Sequence, residues 1–273
     1  MRFGCCLNTI SAAADGTGAE QAPLLAAAGY DYLELSLAHS MALKADDRSR
    51  VLAPALESGL PCEAANNFFP PSLRLTGPKA NPVEALSYAA EALSLARSLG
   101  VRVVVFGSGK ARNPPEGYPR ERAWDQLVFL ARELAPLAAK NGIRIAMEAL
   151  NRSESDILCS FSELIRFVRE VDRPGIRALM DSYHLGLEKE SAEVLLQGEG
   201  LIIHTHVARL AGRTWPLLPS PDLRAVFSAL SSIGYDGSMS VEGYTDALEE
   251  QSRATLAMLK RLDGECRGMA RQD

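Results

Sequence analysis

Three carboxylates and one imidazole stand at the ends of four short apolar segments in the second half of this chain. The segments are RIAME, RALMD, LIIHTH and SMSVE, which end at Glu148, Asp181, His206 and Glu242. Carboxylates crowded together in a buried place repel one another and are costly to bury unless a cation lies among them. Oxygen ligands with one imidazole suit Mn²⁺ or Mg²⁺, with Co²⁺ or Zn²⁺ as alternatives. The pattern therefore predicts one divalent metal ion, with Mn²⁺ as the first choice.

Each of these residues also has an ordinary explanation when it is taken alone. Glu148 and Glu242 could be solvated residues that follow a strand, and Asp181 could cap the next helix. His206 could be a hydrogen-bonded core histidine. Their repetition, one at each strand end, favours a shared metal site over four unrelated explanations.

The remaining histidines of the chain, which has four in all, are not needed as ligands. His204 lies on the same strand face as His206 but deeper, where a packed, hydrogen-bonded interior histidine is favoured. His184 follows Asp181 by three residues and is better placed to hold a substrate hydroxyl. His39 could reach the same face, and an ordinary loop histidine is an equal alternative.

The elements that position these residues are short apolar runs that alternate with helical patterns. Runs such as VRVVVF are almost continuously apolar, which is typical of parallel strands covered on both faces. Asn81 before Pro82, and Ser160 three residues before Glu163, have the spacing of helix N-terminal caps. The predicted strands, eight in number, are 3–8, 31–36, 61–65, 101–106, 143–148, 176–181, 201–206 and 237–242.

Eight strands alternating with helices predict an α/β fold, a single-domain (β/α)8 TIM barrel, in which strand C-termini share the reactive face. The 273 residues fit one barrel at 1–263 and a polar C-terminal tail at 264–273, after a last helix at about 246–262. An open doubly wound sheet is the alternative, but CLNTISAAADGTG lacks its glycine-rich phosphate fingerprint.

Loops 66–80 and 107–119 follow strand C-termini and should cover the reactive face.

Composition restricts the partners and the compartment. A net charge of −5 argues against broad phosphate-backbone binding, so no nucleic-acid partner is expected. The five cysteines have no metal-type or disulfide-type spacing, which fits a reducing cytosol. No signal-peptide core and no apolar stretch of membrane-spanning length is found. These features predict a cytoplasmic protein that binds no membrane.

Four motifs resemble those of a known group of enzymes. The segments MEALNRSE (147–154), MDSYH (180–184), HTH (204–206) and YDGSMSVE (235–242) are similar to the xylose-isomerase-like TIM-barrel superfamily of sugar isomerases and epimerases. Within it, they resemble the D-tagatose 3-epimerase/D-psicose 3-epimerase family. The order E-x-x-N-R, D-x-x-H, H-x-H and E extends over essentially the whole barrel.

The resemblance implies a metal-dependent ketose epimerase or isomerase that moves a proton alpha to a carbonyl through a cis-enediolate. Glu148 and Glu242 would then be metal ligands and also the proton-transfer pair, while Asp181 and His206 would mainly fix the metal. It further implies a small sugar as substrate and a homodimer or homotetramer as the assembly.

Other residues receive roles from the same resemblance. Glu154 and His184 match positions that hold substrate oxygens, and Arg152 would orient the first glutamate, with a surface role as its alternative. Arg213 matches a substrate-binding arginine better than Arg209 does, although the loop after H-x-H is one residue longer than in the family.

Lys110 departs from the family, which has an apolar wall at this place. Its ammonium could contact an acidic or phosphorylated substrate, or it could point into water.

Other functions use related machinery. An inosose-dehydratase-like lyase acting on a keto-cyclitol would use a similar metal and base. An apurinic endonuclease would need several zinc ions and many histidines, whereas this chain has four. A non-catalytic sugar-binding protein would have no need for a complete ligand set.

Overall fold

Eight parallel strands close into a barrel in the computed structural model, which describes residues 1–269. Each strand pairs with the next along the chain, and β8 returns to β1 through the pairs Gly4 with Ser240 and Cys5 with Val241. The strands are β1 (Arg2–Cys6), β2 (Tyr32–Ser36), β3 (Cys62–Asn66), β4 (Val103–Phe106), β5 (Arg144–Glu148), β6 (Ile176–Asp181), β7 (Ile202–Val207) and β8 (Ser238–Val241).

Helices surround the barrel. Within the described residues, the α-helices are α1 (Ala22–Ala28), α2 (Leu37–Ala42), α3 (Ala45–Leu56), α4 (Pro82–Ser98), α5 (Gly109–Arg112), α6 (Arg120–Lys140), α7 (Phe161–Val171), α8 (Ser182–Leu187), α9 (Pro221–Ser232) and α10 (Leu248–Met269). Short 3₁₀ turns cover Leu7–Thr9, Ala19–Gln21, Ala192–Gly198 and Ala211–Arg213. None of the helices within residues 1–269 combines the length and apolar character needed to cross a bilayer.

The fold prediction is confirmed, since each of the eight predicted strands overlaps one observed strand. The predicted helix caps are also present: Asn81 Oδ1 accepts from the backbone N–H groups of Val83 and Glu84, and Ser160 Oγ accepts from that of Glu163. These caps satisfy backbone donors that have no partner within the first turn of a helix.

The C-terminal helix is longer than predicted. It was expected to end near residue 262 and to leave a polar tail at 264–273, but α10 continues to Met269. Cys266 is buried there, and the Arg267 guanidinium donates to Asp263 and to the carbonyl of Tyr235. These contacts hold the last turns of the helix against the barrel, so residues 264–269 are not a separate tail. Residues 270–273 lie outside the described residues.

Alternate residues of each strand point into the barrel, as the two-residue repeat of a strand requires. The deeper part of the interior holds a small apolar cluster of Val105, Ala146 and Leu179, contributed by β4, β5 and β6. The main core lies between the strands and the helices. Above the small cluster, the next inward side chains are polar, and they form the floor of a cavity at the carboxyl ends of the strands.

Candidate active site

The four side chains predicted as ligands converge at the carboxyl end of the barrel. Glu148 ends β5, Asp181 ends β6, His206 lies one residue before the end of β7, and Glu242 follows β8 directly. One ligand atom from each lies within 4.8 Å of those of the other three. His206 Nδ1 is 3.0 Å from Glu242 Oε2 and 3.4 Å from Glu148 Oε1. We refer to these four residues as the carboxylate–histidine cluster.

Two polar atoms of the carboxylate–histidine cluster lack a hydrogen-bond partner although they are buried. They are Glu148 Oε1 and His206 Nδ1. Buried polar atoms without a partner are rare in folded proteins, and a ligand that completes them is a common reason. Burial also raises the pKa of the Glu148 carboxyl, because a charge there has lost its water. A divalent cation would complete both atoms and offset the buried negative charge, so the residues present fit such an ion.

Arg213 is a cation that already contacts this cluster. Its Nη2 lies 2.5 Å from Glu242 Oε2 and 3.4 Å from Asp181 Oδ2. Burial acts to raise the pKa of Glu242, but the positive charges of Arg213 and His206 outweigh it and lower that pKa to about 2. Arg213, which the sequence matched to a substrate-binding arginine, therefore lies at the carboxylate–histidine cluster. Arg209 instead lines a different surface depression beside Trp215.

A second set of metal-type side chains lies deeper in the barrel: Cys6, Glu34 and His206. Its atoms are already engaged. Glu34 Oε1 lies 3.0 Å from His206 Nε2, while Glu34 Oε2 lies 2.7 Å from His204 Nε2 and 2.6 Å from Ser240 Oγ. Burial also raises the pKa of the Cys6 thiol, which keeps it protonated. The outer cluster, with its unpartnered atoms, is the better metal site.

His184 and Glu154 lie beside the cluster at the places predicted for substrate-binding residues. Asn151 holds both: its Nδ2 is 2.8 Å from His184 Nδ1 and 2.9 Å from Glu154 Oε1. The other ring nitrogen of His184 lies 3.4 Å from Asp181 Oδ2 and lacks a hydrogen-bond partner. Both side chains also line the cavity.

The cavity above the cluster has a volume of about 430 Å³. Its floor and one side come from the second half of the barrel, through Glu148, Leu150, Glu154, His184, Arg213 and Glu242. The opposite wall comes from the segments after β2, β3 and β4, through Ala38, His39, Ala42, Asn67, Phe69, Pro70, Pro71, Ser108, Gly109, Lys110 and Ala111. The predicted loops 66–80 and 107–119 thus cover the reactive face, and Lys110 is part of that wall.

His39 belongs to this wall as well, but it lies in α2 rather than in a loop. Its Nδ1 is 2.6 Å from Ser36 Oγ at the end of β2. His204 is the buried, hydrogen-bonded interior histidine that the sequence predicted.

The hypothesis that Arg152 orients the first glutamate is wrong. Its side chain is 70% exposed and pairs with Glu188 on the surface. The arginine that contacts the end of β5 is Arg112, which is fully buried and donates from Nη1 to the carbonyl of Glu148 at 2.6 Å. Its Nη2 donates to the carbonyl of Leu158 at 3.2 Å. Burial lowers the pKa of Arg112 to about 10, which leaves it charged at neutral pH.

Gly107 contributes to the same place through the absence of a side chain. A Cβ atom at this position would overlap Oε2 of Glu148. The glycine after β4 therefore leaves the space that the Glu148 carboxylate occupies. Sequence reasoning gave no role to Gly107, Arg112 or Glu34; only the last left a signal, as a glutamate within the otherwise apolar stretch YLEL.

Comparison with known proteins gives one family. Residues 22–262 match the family model described as xylose isomerase-like TIM barrel. The chain is 28% identical over 122 residues to a D-psicose 3-epimerase from Ruminiclostridium cellulolyticum, which covers 44% of this chain and 41% of that protein. It is 28% identical over 230 residues to an L-ribulose 3-epimerase from Methylomonas sp., which covers 82% of this chain and 77% of that protein. The chain thus spans less than half of the first relative and about three quarters of the second.

Among solved structures, the chain superposes on a D-allulose 3-epimerase from Methylomonas sp. in complex with D-allulose. The TM-score is 0.82 at 21% sequence identity, and the match covers 96% of each chain. Identity this low supports the shared fold alone.

Proposed function

Because this chain belongs to the xylose isomerase-like TIM barrel family, we propose that it is a divalent-metal-dependent sugar epimerase or isomerase acting on a ketose. The observation that carries the proposal is the carboxylate–histidine cluster, whose unpartnered Glu148 Oε1 and His206 Nδ1 lie at the floor of a cavity of about 430 Å³. The relatives named as 3-epimerases support the reaction class.

The metal we propose is Mn²⁺, because three carboxylates and one imidazole form an oxygen-rich set. Such an ion would polarise the ketose carbonyl as a Lewis acid. Glu148, Asp181, His206 and Glu242 would hold it.

The chain's own groups supply the proton transfer. Epimerisation removes a proton from the carbon alpha to the carbonyl, giving an enediolate, and returns a proton to the opposite face of that carbon. Glu148 ends β5 and Glu242 follows β8, so the two carboxylates approach the cavity from separate strands. We propose that one carboxylate takes the proton and that the other delivers one. Arg213, which contacts Glu242 and faces Glu154, would orient the substrate's hydroxyls between them.

Solvent exchange tests this proposal. Metal-free protein is loaded with Mn²⁺ and incubated in D₂O with a panel of ketoses and their phosphates, the latter included because Lys110 lines the cavity. Deuterium is expected at the carbon next to the carbonyl of at least one sugar, and chelation should remove the exchange. Absence of exchange from every ketose, together with loss of water from a keto-cyclitol, would overturn the proposal in favour of a lyase.

Glu154 is expected to contribute to substrate binding more than to turnover. Its carboxylate lines the cavity and is held by Asn151, so Glu154→Ala removes one charge-assisted hydrogen bond to a substrate hydroxyl. Such a bond contributes about 1.5–3 kcal/mol, which predicts a rise in KM of about tenfold or more with only a small change in kcat.

Steady-state kinetics measures this effect, and Arg152→Ala is the matched control. Arg152 lies two residues earlier but is exposed and faces Glu188, so its removal should leave KM and kcat unchanged. An unchanged KM in Glu154→Ala would refute the role of Glu154.

A further inference from the structure

Glu34 is a carboxylate at the centre of the barrel that the proton-transfer chemistry does not use. It comes from β2 and is fully buried, with no exposed surface. Its two oxygens face two histidines of β7: Oε1 faces His206 Nε2 at 3.0 Å, and Oε2 faces His204 Nε2 at 2.7 Å. One carboxylate therefore connects the cluster histidine to the deeper histidine.

Further hydrogen bonds fix this carboxylate. Ser240 Oγ, from β8, lies 2.6 Å from Glu34 Oε2, and Tyr32 OH lies 2.8 Å from Ser240 Oγ. A buried carboxylate needs several donors to offset the loss of water, and here three donors from two other strands supply them. Glu34 is thus held rigidly behind the imidazole of His206, on the side away from the cavity.

The orientation of the His206 ring follows from these contacts. A carboxylate oxygen only accepts hydrogen bonds, so the imidazole presents its Nε2–H to Glu34. The opposite nitrogen, Nδ1, then faces Glu148 and Glu242 and has no hydrogen-bond partner. A metal ion at Nδ1 would take the place of the second proton, so that His206 is neutral, carries its one N–H at Nε2 and has its lone pair at Nδ1.

We infer that Glu34 is a positioning residue that fixes the ring orientation and the tautomer of His206, so that the Nδ1 lone pair is directed at the metal. This inference rests on the proposed metal site. A purely structural role would require only that the barrel interior be filled and its hydrogen bonds satisfied. A positioning role also requires that metal affinity depend on the particular contact between Glu34 and His206. Carboxylates behind metal-bound histidines commonly act in this way.

Glu34→Gln separates these two roles, because glutamine has nearly the same shape but only one accepting oxygen. Its amide N–H₂ must face one of the two histidines, so the network can no longer accept from both. Metal-free Glu34→Gln protein is titrated with Mn²⁺ alone in a calorimeter. Its affinity for Mn²⁺ is expected to be lower than that of the unmodified protein by about 10–100-fold.

Tyr32→Phe is the matched control. It removes one hydrogen bond from the same buried network, at Ser240, and does not touch Glu34 or either imidazole nitrogen. The Mn²⁺ affinity of this variant should stay within about threefold of that of the unmodified protein, because a neutral hydrogen bond contributes little net energy. An equal loss in both variants would overturn the inference, since it would indicate general disturbance of the interior.

A second measurement needs no variant and does not depend on turnover. With Co²⁺ bound to the unmodified protein, the proton NMR spectrum should contain one strongly shifted, slowly exchanging imidazole N–H, from His206 Nε2–H on Glu34. Absence of that resonance while Co²⁺ is bound would overturn the role of Glu34 and leave the metal site intact. Failure of the unmodified protein to bind either ion would instead refute the metal site of the proposed function, and with it the role of Glu34.

Discussion

Glu242→Gln is expected to reduce turnover by at least about 10²-fold while the protein still binds Mn²⁺ with weakened affinity. Glutamine keeps a ligand oxygen of similar reach but cannot take or deliver a proton at neutral pH. Proton transfer by a positioned group contributes about 10²–10⁴-fold, which sets the expected loss. The substitution also removes the negative charge that Arg213 and His206 contact, so some loss of affinity should accompany it.

The measurement combines kcat on a ketose that exchanges deuterium with a calorimetric Mn²⁺ titration of the same preparation. Glu265→Gln is the control, since Glu265 lies on the outer face of α10 and pairs with Arg224 far from the cavity. Turnover close to that of the unmodified protein in Glu242→Gln would exclude this carboxylate from proton transfer. Complete loss of Mn²⁺ binding would show that its main role is that of a ligand.

Arg112→Met is expected to lower the free energy of unfolding by about 2–5 kcal/mol. The Arg112 guanidinium is fully buried and donates to the carbonyls of Glu148 at 2.6 Å and Leu158 at 3.2 Å. Methionine fills a similar length without any donor, so both carbonyls lose a charged donor, and such hydrogen bonds contribute about 1.5–3 kcal/mol each. The Leu158 carbonyl keeps its bond from the backbone N–H of Leu150 at 3.0 Å. Relief of the desolvation of a buried cation offsets part of this cost.

Urea denaturation monitored by circular dichroism measures the change. Arg152→Met is the matched control, because this nearby arginine is 70% exposed. Its effect should stay within about 0.5 kcal/mol, as is usual for surface substitutions. Equal stability of the two variants would refute the claim that Arg112 holds the end of β5.

The barrel itself could be predicted because its signals are local. Each strand is a short apolar run, and each following helix has its own spacing and cap, so the alternation can be counted along the chain. The convergence of the carboxylate–histidine cluster was predictable for a related reason: in a parallel barrel, residues at the same end of different strands must meet. No knowledge of loop paths was needed for either.

The missed features depend on contacts between distant parts of the chain. Glu34 meets His204 and His206 across 170 and 172 residues, and nothing in β2 alone reveals that pairing. Arg112 and Arg152 both follow strands, and only the paths of the two loops decide which one reaches the carbonyl of Glu148. The C-terminal helix extends past its predicted end because Arg267 bonds to Tyr235, which lies 32 residues earlier.

Ligands and cavity wall come from different halves of this barrel. The four proposed metal ligands lie at the carboxyl ends of β5 to β8, whereas the wall opposite them is formed by the segments after β2 to β4. A chimera that grafts the first four strand–helix units of another barrel of the same family onto this chain would therefore exchange that wall, while it retains the carboxylates and the proposed substrate-binding residues Glu154, His184 and Arg213. Glu34 and Arg112 are the exceptions, because they lie in the first half and hold His206 and Glu148 of the second. Any such graft would have to carry equivalents of both across the junction.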